Sequence, residues 1–321
     1  MRWARWSAVA ADSATAARVV FLMGPTAAGK TQVAVYLAER LPCDIVSVDS
    51  AMVYRGLDIG SGKPDAQTLA RAPHRLIDIR DPHEPYSAAE FRADALAHID
   101  AILARARIPL LVGGTGLYFR ALRCGLSPLP PADPQLRARL AAEAAHAGWA
   151  PLHARLAALD PPAAARIRAS DPQRIQRALE VIELTGSPLS ALHRRDAGQR
   201  CPFPILTVSL EPRSRGWLHR RIEERFLRML HDGLEDEVRA LRIGASLPPH
   251  LPAARAVGYR QMHQYLCGEA DRATMTARAL AATRQLARRQ LTWLRREAVD
   301  ARVAADQDAP EEGVLEAILR R

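Results

Sequence analysis

The segment GPTAAGKT, Gly24 to Thr31, follows the apolar run Val19-Val20-Phe21-Leu22-Met23 and fits the phosphate-binding pattern GxxxxGK[ST]. Gly24 and Gly29 let backbone amides close around phosphate oxygens, Lys30 adds a compact positive charge, and the Thr31 hydroxyl suits a Mg2+ ion. The loop fixes a phosphate and leaves open what is attached to it. Two further strand ends carry chemistry. "VSVDS" puts Asp49 and Ser50 at the carboxyl end of a second apolar run, where open α/β sheets bind ligands. Asp49 is therefore a candidate base or metal ligand, and equally a candidate cap. "VGGTGLYF", Val112 to Phe119, ends another run with glycines that permit close backbone approach and with Thr115 as a hydroxyl donor beside the same phosphates. "GSGKP", Gly60 to Pro64, holds Lys63. Lysine occurs only at 30 and 63, so 43 of the 45 basic residues are arginine. A chain that writes its cations as Arg keeps Lys inside the loop, where a point charge fits better than a planar fork.

These residues need a scaffold that brings strand ends together. Apolar runs predict strands at 18–23, 44–48, 76–79 and 109–113, with helices at 30–41 and 87–105 between them, which is a parallel, doubly wound α/β sheet. After Leu126 the stretch "SPLPPADP" acts as a linker to a helical insertion at 127–202, and strand character returns only in "PILTVSL", Pro204 to Leu210. Asp133-Pro134 and Asp171-Pro172 each place an N-cap and an N1 proline before an amphipathic run, and Gly186 stands where the second run should stop. Further helices are expected at 215–231, 234–241, 254–267 and 272–298. The core is thus assigned to 18–126 and 203–300, with a loose N-terminal tail at 1–17 and a C-terminal tail at 301–321.

Composition narrows the partners. A net charge of +10 and a pI near 10.1 favour a polyanion. Between Ala273 and Arg296 six arginines (278, 284, 288, 289, 295, 296) occur without one acid, which suits an RNA-facing helix or a solvated face. Gln173, Arg174, Gln176 and Arg177 open a helix with side chains that suit base edges and phosphates together, and Arg220 and Arg221 follow the returning strand. The four cysteines form no CxxC pair, so no zinc knuckle or disulfide framework is indicated, and buried thiols in a reducing cytosol are expected. No run approaches the length of a membrane span.

Taken in order, GPTAAGKT, VDSAMVYRGLDIGSGKP, GGTGLYFRAL, DPQRIQRALE, LHRRIEERF, ARAVGYRQ and RRQLTWLRR resemble the bacterial tRNA dimethylallyltransferase (tRNA isopentenyltransferase) family over residues 18–298. The resemblance implies a P-loop NTPase-like sheet flanked by helices with a tRNA-binding helical insertion. It implies transfer of a dimethylallyl group from dimethylallyl diphosphate to N6 of the adenosine 3′ of the anticodon, in tRNAs reading codons that begin with U. The loop would then hold a departing diphosphate through Gly24, Thr26, Ala27, Ala28, Gly29, Lys30 and Thr31, with Mg2+ at Thr31. By position, Asp49 matches the general base, Thr115 the residue bonded to the oxygen at the breaking bond, and Arg221 the arginine that holds the diphosphate. The tRNA contacts carried over are Asp49, Ser50, Ala51 and Met52; Arg137; Gln173, Arg174, Ile175, Gln176 and Arg177; Arg255, Gly258, Tyr259 and Arg260; and Arg288, Arg289, Gln290, Trp293 and Arg295. The chain departs from the family pattern at Ala28, often Ser, and at Gly62, often Ala, and it lacks the zinc finger of eukaryotic relatives. A monomer in the cytoplasm suffices for this chemistry. Three rivals share the loop: a small-molecule P-loop kinase, a prenyltransferase acting on free AMP, and an RNA-binding ATPase. The first two leave the arginine-rich helix unexplained, and the third lacks an apolar run ending in Asp-Asp or Asp-Glu.

Overall fold

A computed structural model describes residues 18–195 and 199–320; the tail at 1–17, with Trp3 and Trp6, lies outside the described residues. Six strands, β1 (Val19–Met23), β2 (Cys43–Val48), β3 (His74–Arg75), β4 (Ile108–Gly113), β5 (Ile205–Glu211) and β6 (Ala301–Ala304), form one sheet in the order β3-β2-β4-β1-β5-β6. Every pairing is parallel. β1 and β4 are buried along their whole lengths, which is why they read as continuous apolar runs and not as alternating ones. The order β2-β4-β1 sets three carboxyl ends side by side, and these lead into Asp49, Thr115 and the P-loop.

Helices cover both faces. After the P-loop comes α1 (Lys30–Ala38), then α2 (Ala66–Arg71) and α3 (Ala88–Leu103). A capping box between Ser87 and Glu90 fixes the start of α3. α4 (Gly116–Cys124) opens directly behind Thr115. One apolar cluster, with Phe21, Phe91, Phe119 and Tyr259, fills one face of the sheet; a second, with Leu22, Val33, Leu37 and Ile45, fills the other.

Several boundaries differ from the sequence reading. The third strand lies at His74–Arg75 and not at 76–79. Leu76 and Asp78 adopt φ of 61° and 56°, left-handed values that end an extended strand, and the backbone there bonds to Met52 and Val53 instead. The expected helix at 254–267 begins only at Tyr259, because Gly258 has φ 95°. The segment at 301–321 is not a tail. Its β6 pairs with β5, and its helix, found at Pro310–Leu319, buries Val314 and Ile318 against the face that carries α1. Asp300 Oδ2 accepts the Thr207 amide at 2.8 Å and so pins the start of this last strand.

Residues 124–200 form a second compact unit and the rest of the described chain the first, so both boundaries fall two or three residues earlier than the expected 127–202. In the second unit, α5 (Pro134–Ala147), α6 (Trp149–Leu159), α7 (Pro161–Ala164), α8 (Pro172–Thr185) and α9 (Leu189–Arg195) surround Leu140, Leu156, Ile175 and Leu179. Asp133 and Asp171 cap α5 and α8 ahead of their prolines, and Gly186 ends α8 with φ 65°.

Candidate active site

The P-loop is shaped by two left-handed residues, Ala27 at φ 64° and Gly29 at φ 89°. The Lys30 ammonium donates to the Pro25 carbonyl at 2.7 Å. The amides of Ala27, Gly29, Lys30 and Thr31 have no protein acceptor among the described residues, which leaves a set of N–H donors at the amino end of α1 for an anion. The Thr26 amide is already used. It donates to Gln290 Oε1 at 2.8 Å, while Gln290 Nε2 donates to the Gly114 carbonyl at 3.0 Å. Gln290, expected to touch tRNA, instead ties the P-loop to the end of β4.

A cavity of about 310 Å³ opens over the loop, bounded by Lys30, Thr31, Asp49, Arg221, Arg225 and Arg228 among others. Four cations face one carboxylate, a balance that suits a polyanion. Burial pulls the Lys30 ammonium down to about 8, against the opposing pull of Asp49 and with a further push from Arg225. Burial also lowers Arg225, again opposed by Asp49. These three charges therefore form one coupled group.

A second, larger cavity of about 660 Å³ shares Thr26, Asp49 and Arg225 with the first. Its walls are mainly aromatic and aliphatic: Tyr54, Tyr86, Tyr118, Phe226, Met229 and Trp293. Thr115 lies in this second cavity, its hydroxyl without a hydrogen bond among the described residues. Asp49 stands at the junction. Its Oδ1 accepts the amides of Ala51 at 2.8 Å and Met52 at 3.3 Å, which fixes the carboxylate and leaves Oδ2 unbonded by the described residues. It is thus both the cap and the candidate base that the sequence allowed.

The glycines of "VGGTG" answer to packing within the protein, and they also line the cavities, Gly113 and Gly114 the first and Gly114 and Gly116 the second. A Cβ on Gly113 would stand 2.0 Å from the Val48 carbonyl oxygen, one on Gly114 2.4 Å from Gln290 Nε2, and one on Gly116 2.4 Å from the Trp293 ring. These contacts draw β4, β2 and the helix α13 (Arg272–Leu294) together.

The sequence reading chose Arg221 and passed over Arg225, one turn later on the same face of α10 (Arg215–His231). Arg221 does line the P-loop cavity, but it is partly exposed, stacks over Trp217 and reaches Glu224 only at 3.9 Å. Arg225 is the anchored guanidinium: Nη2 donates to the Ser61 carbonyl at 3.0 Å, and Nη1 lies 3.5 Å from Thr26 Oγ1. The i, i+4 spacing to Arg221 was the available signal.

The proposed tRNA contacts separate into exposed and engaged groups. Arg255, Arg260, Arg288, Arg289 and Arg295 are exposed and carry no ion pair among the described residues. Arg255, Arg289 and Trp293 also border the second cavity, as do Ser50 and Ala51, whereas Met52 lines the first. Tyr259 is 0% exposed and Gly258 is buried, and both line the second cavity. Ile175 likewise sits at 0% exposure in the core of the second unit, while Gln173 and Arg174 are exposed. Arg137 forks onto Glu180 at 2.8 and 3.0 Å, and Arg177 reaches the same carboxylate at 2.8 Å. Gln176 Nε2 donates to the Arg137 carbonyl at 2.9 Å. Burial alone would raise Glu180, but the two arginines hold it below the usual range.

Comparison with known proteins bears on this geometry. The sequence model of the family described as IPP transferase matches residues 52–297. The chain belongs to this family. It is 64% identical to the tRNA dimethylallyltransferase of Alkalilimnicola ehrlichii over 279 residues, covering 87% of this chain and 88% of that protein. It is 60% identical to the one from Thioalkalivibrio sulfidiphilus, covering 86% of each. Among solved structures, the tRNA isopentenylpyrophosphate transferase of Bacillus halodurans superposes with a TM-score of 0.69 at 35% identity, covering 95% of both chains. A eukaryotic dimethylallyltransferase acting on tRNA shares the fold, with a TM-score of 0.77 at 22% identity over 95% of this chain and 80% of that one. As an IPP transferase, the chain carries its two cavities within one compact unit.

Proposed function

We infer that this IPP transferase moves a dimethylallyl group onto an adenosine of tRNA, and that the donor is dimethylallyl diphosphate. The observation that carries this reading is Asp49 at the junction of a cationic cavity and an aromatic one. A diphosphate matches the first in charge, and a branched five-carbon chain beside a purine matches the second in polarity.

The chemistry follows from that placement. The N6 lone pair of the adenine attacks C1 of the dimethylallyl group; the C1–O bond breaks, and its electron pair leaves with the diphosphate. An exocyclic amine is a weak nucleophile, since its lone pair is drawn into the ring. Asp49 orients it and accepts the proton it sheds, through the Oδ2 that the protein leaves unbonded. Negative charge then grows on oxygens that the loop amides, Lys30 and Arg225 already face, so the stabilisation is in place before the bond breaks. The Thr115 hydroxyl is the donor for the bridging oxygen, and Arg221 and Arg228 hold the outer phosphate.

Mg2+ belongs to this reading as well. Among the described residues no three His, Cys, Asp or Glu side chains cluster as ion ligands. The Thr31 hydroxyl is a hard oxygen ligand that suits Mg2+ when phosphates and water complete its shell, which leaves the Asp49 carboxylate free to act as base. Bound there, the ion would offset charge on the diphosphate. The target N6 would be that of the adenosine 3′ of the anticodon, which must leave its stack at a cost of about a few kcal/mol. Exposed arginines along α13 supply binding energy against that cost. The enzyme would work in the cytoplasm, as a monomer.

The deciding experiment incubates the protein with labelled dimethylallyl diphosphate, Mg2+ and bulk tRNA, then digests the RNA. N6-dimethylallyladenosine is the expected product. Label that stays with the donor while tRNA is bound would overturn the assignment.

A further inference from the structure

The residues that bring Arg225 to the P-loop come from three separate parts of the chain. Arg225 hangs from the Ser61 carbonyl, so its position depends on the segment at 57–64. That segment is held by a carboxylate from elsewhere in the chain. Glu237, on α11 (Leu234–Leu241), accepts three successive amides: Asp58 at 3.0 Å and Ile59 at 2.7 Å on Oε2, and Gly60 at 3.0 Å on Oε1. Oε1 also accepts the Tyr259 hydroxyl at 2.6 Å, and that same hydroxyl oxygen accepts the Ser61 amide at 3.0 Å. One carboxylate and one phenol thus satisfy four consecutive N–H groups, an arrangement with no freedom left in it.

The missing side chains tell the same story. A Cβ on Gly60 would lie 2.6 Å from Tyr259 Cζ, and one on Gly62 would lie 1.8 Å from Arg225 Nη2. Gly62, where the family pattern often has Ala, therefore gives the guanidinium its room. The far end of the segment is anchored separately: the Lys63 ammonium, on a side chain only 4% exposed, bonds to the Tyr54 carbonyl at 3.0 Å, to Asp78 at 2.5 Å and to Asp58.

We propose that Glu237 is a positioning residue for the transfer reaction: with Tyr259 it fixes the segment whose Ser61 carbonyl holds Arg225 against the P-loop. This rests on the reading of the P-loop cavity as the diphosphate site. Glu237→Gln would set an amide N–H2 against backbone N–H donors, and Tyr259→Phe would remove the bridging hydroxyl while keeping the ring in the core. Either change releases the Ser61 carbonyl, and Arg225 is no longer aimed.

The test measures inorganic diphosphate affinity by calorimetry, together with kcat and the KM for tRNA, in both variants and in an Arg225→Ala background. Each variant is expected to weaken inorganic diphosphate and lower kcat about tenfold, the scale of one lost charge-assisted contact, with the KM for tRNA unchanged. In the Arg225→Ala background neither change should cost anything more. Full additivity in that background, or wild-type diphosphate affinity in a folded Glu237→Gln protein, would overturn the proposal. Should Glu237→Gln fail to fold by circular dichroism, Tyr259→Phe decides in its place. A wild-type protein that binds inorganic diphosphate but prenylates nothing would sink the proposed function, while the calorimetry still tests the Glu237 relay.

Discussion

Arginine does opposite work at two places, one in each unit, although the α/β unit has its own structural clamp where Arg75, Arg105 and Arg107 close on Asp44. In the helical unit at 124–200 it is consumed by the fold: Arg137 and Arg177 close on Glu180, whose side chain is 0% exposed, and Arg139 and Arg155 pair with Glu183 and Glu143. In the α/β unit, Arg225, Arg228, Arg288, Arg289 and Arg295 have no ion pair among the described residues; they face a cavity or open surface. The same guanidinium serves as a structural clamp where a buried acid is supplied and as a waiting anion site where none is. A net charge of +10 therefore says little until the paired arginines are set aside.

The sharpest way to break this contrast is to remove charge or hydroxyl at the cavity junction. Asp49→Asn and Thr115→Val should fold normally, bind tRNA, and lose transfer by about 10²- to 10⁴-fold in single-turnover assays. Wild-type turnover in either would strip that residue of its role. On the structural side, Glu180→Gln strands two guanidinium groups and should cost about 3 kcal/mol in urea unfolding of the helical unit, while inorganic diphosphate binding stays unchanged. A loss below ~1 kcal/mol would mean that the clamp is dispensable.

The open surface is probed through salt. Replacing Arg288, Arg289 and Arg295 with Ala should flatten the dependence of log affinity for tRNA on log salt by about one unit per phosphate-facing arginine. An unchanged slope would return these residues to the solvated-face reading. The smallest expected effect is with pH. Burial holds Lys30 near 8, below its ordinary 10.5, so between those values the folded chain carries fewer protons than the unfolded one. Stability from this group therefore rises with pH across that window, and the cost of burying the charge is felt below about 8. Function runs the other way: kcat/KM should fall above about 8 as the free enzyme loses its ammonium. A flat profile from 7 to 9.5 would place the Lys30 transition elsewhere.

Local signals were legible and non-local ones were not. GPTAAGKT, the Asp-Pro caps at 133–134 and 171–172 and the buried runs of β1 and β4 announce themselves because a cap or a strand is fixed by neighbours in the chain. "ARVA" at 301–304 is too short and too plain to read as a strand; only the edge left free by β5 makes it one. Leu76 and Asp78 look like strand residues and are bent aside by bonds to residues 52 and 53.

By itself, the sequence determined the phosphate loop, the parallel sheet and the three strand ends that meet at the site, since periodicity and motif spacing act over a few residues. Tertiary structure decided which arginine of α10 is aimed, because Arg221 and Arg225 share a face and only the Ser61 carbonyl separates them. It also turned Gln290 into a strut for Thr26, 264 positions away. Contacts of that range follow from how helices pack on the finished sheet, a constraint that no local pattern encodes.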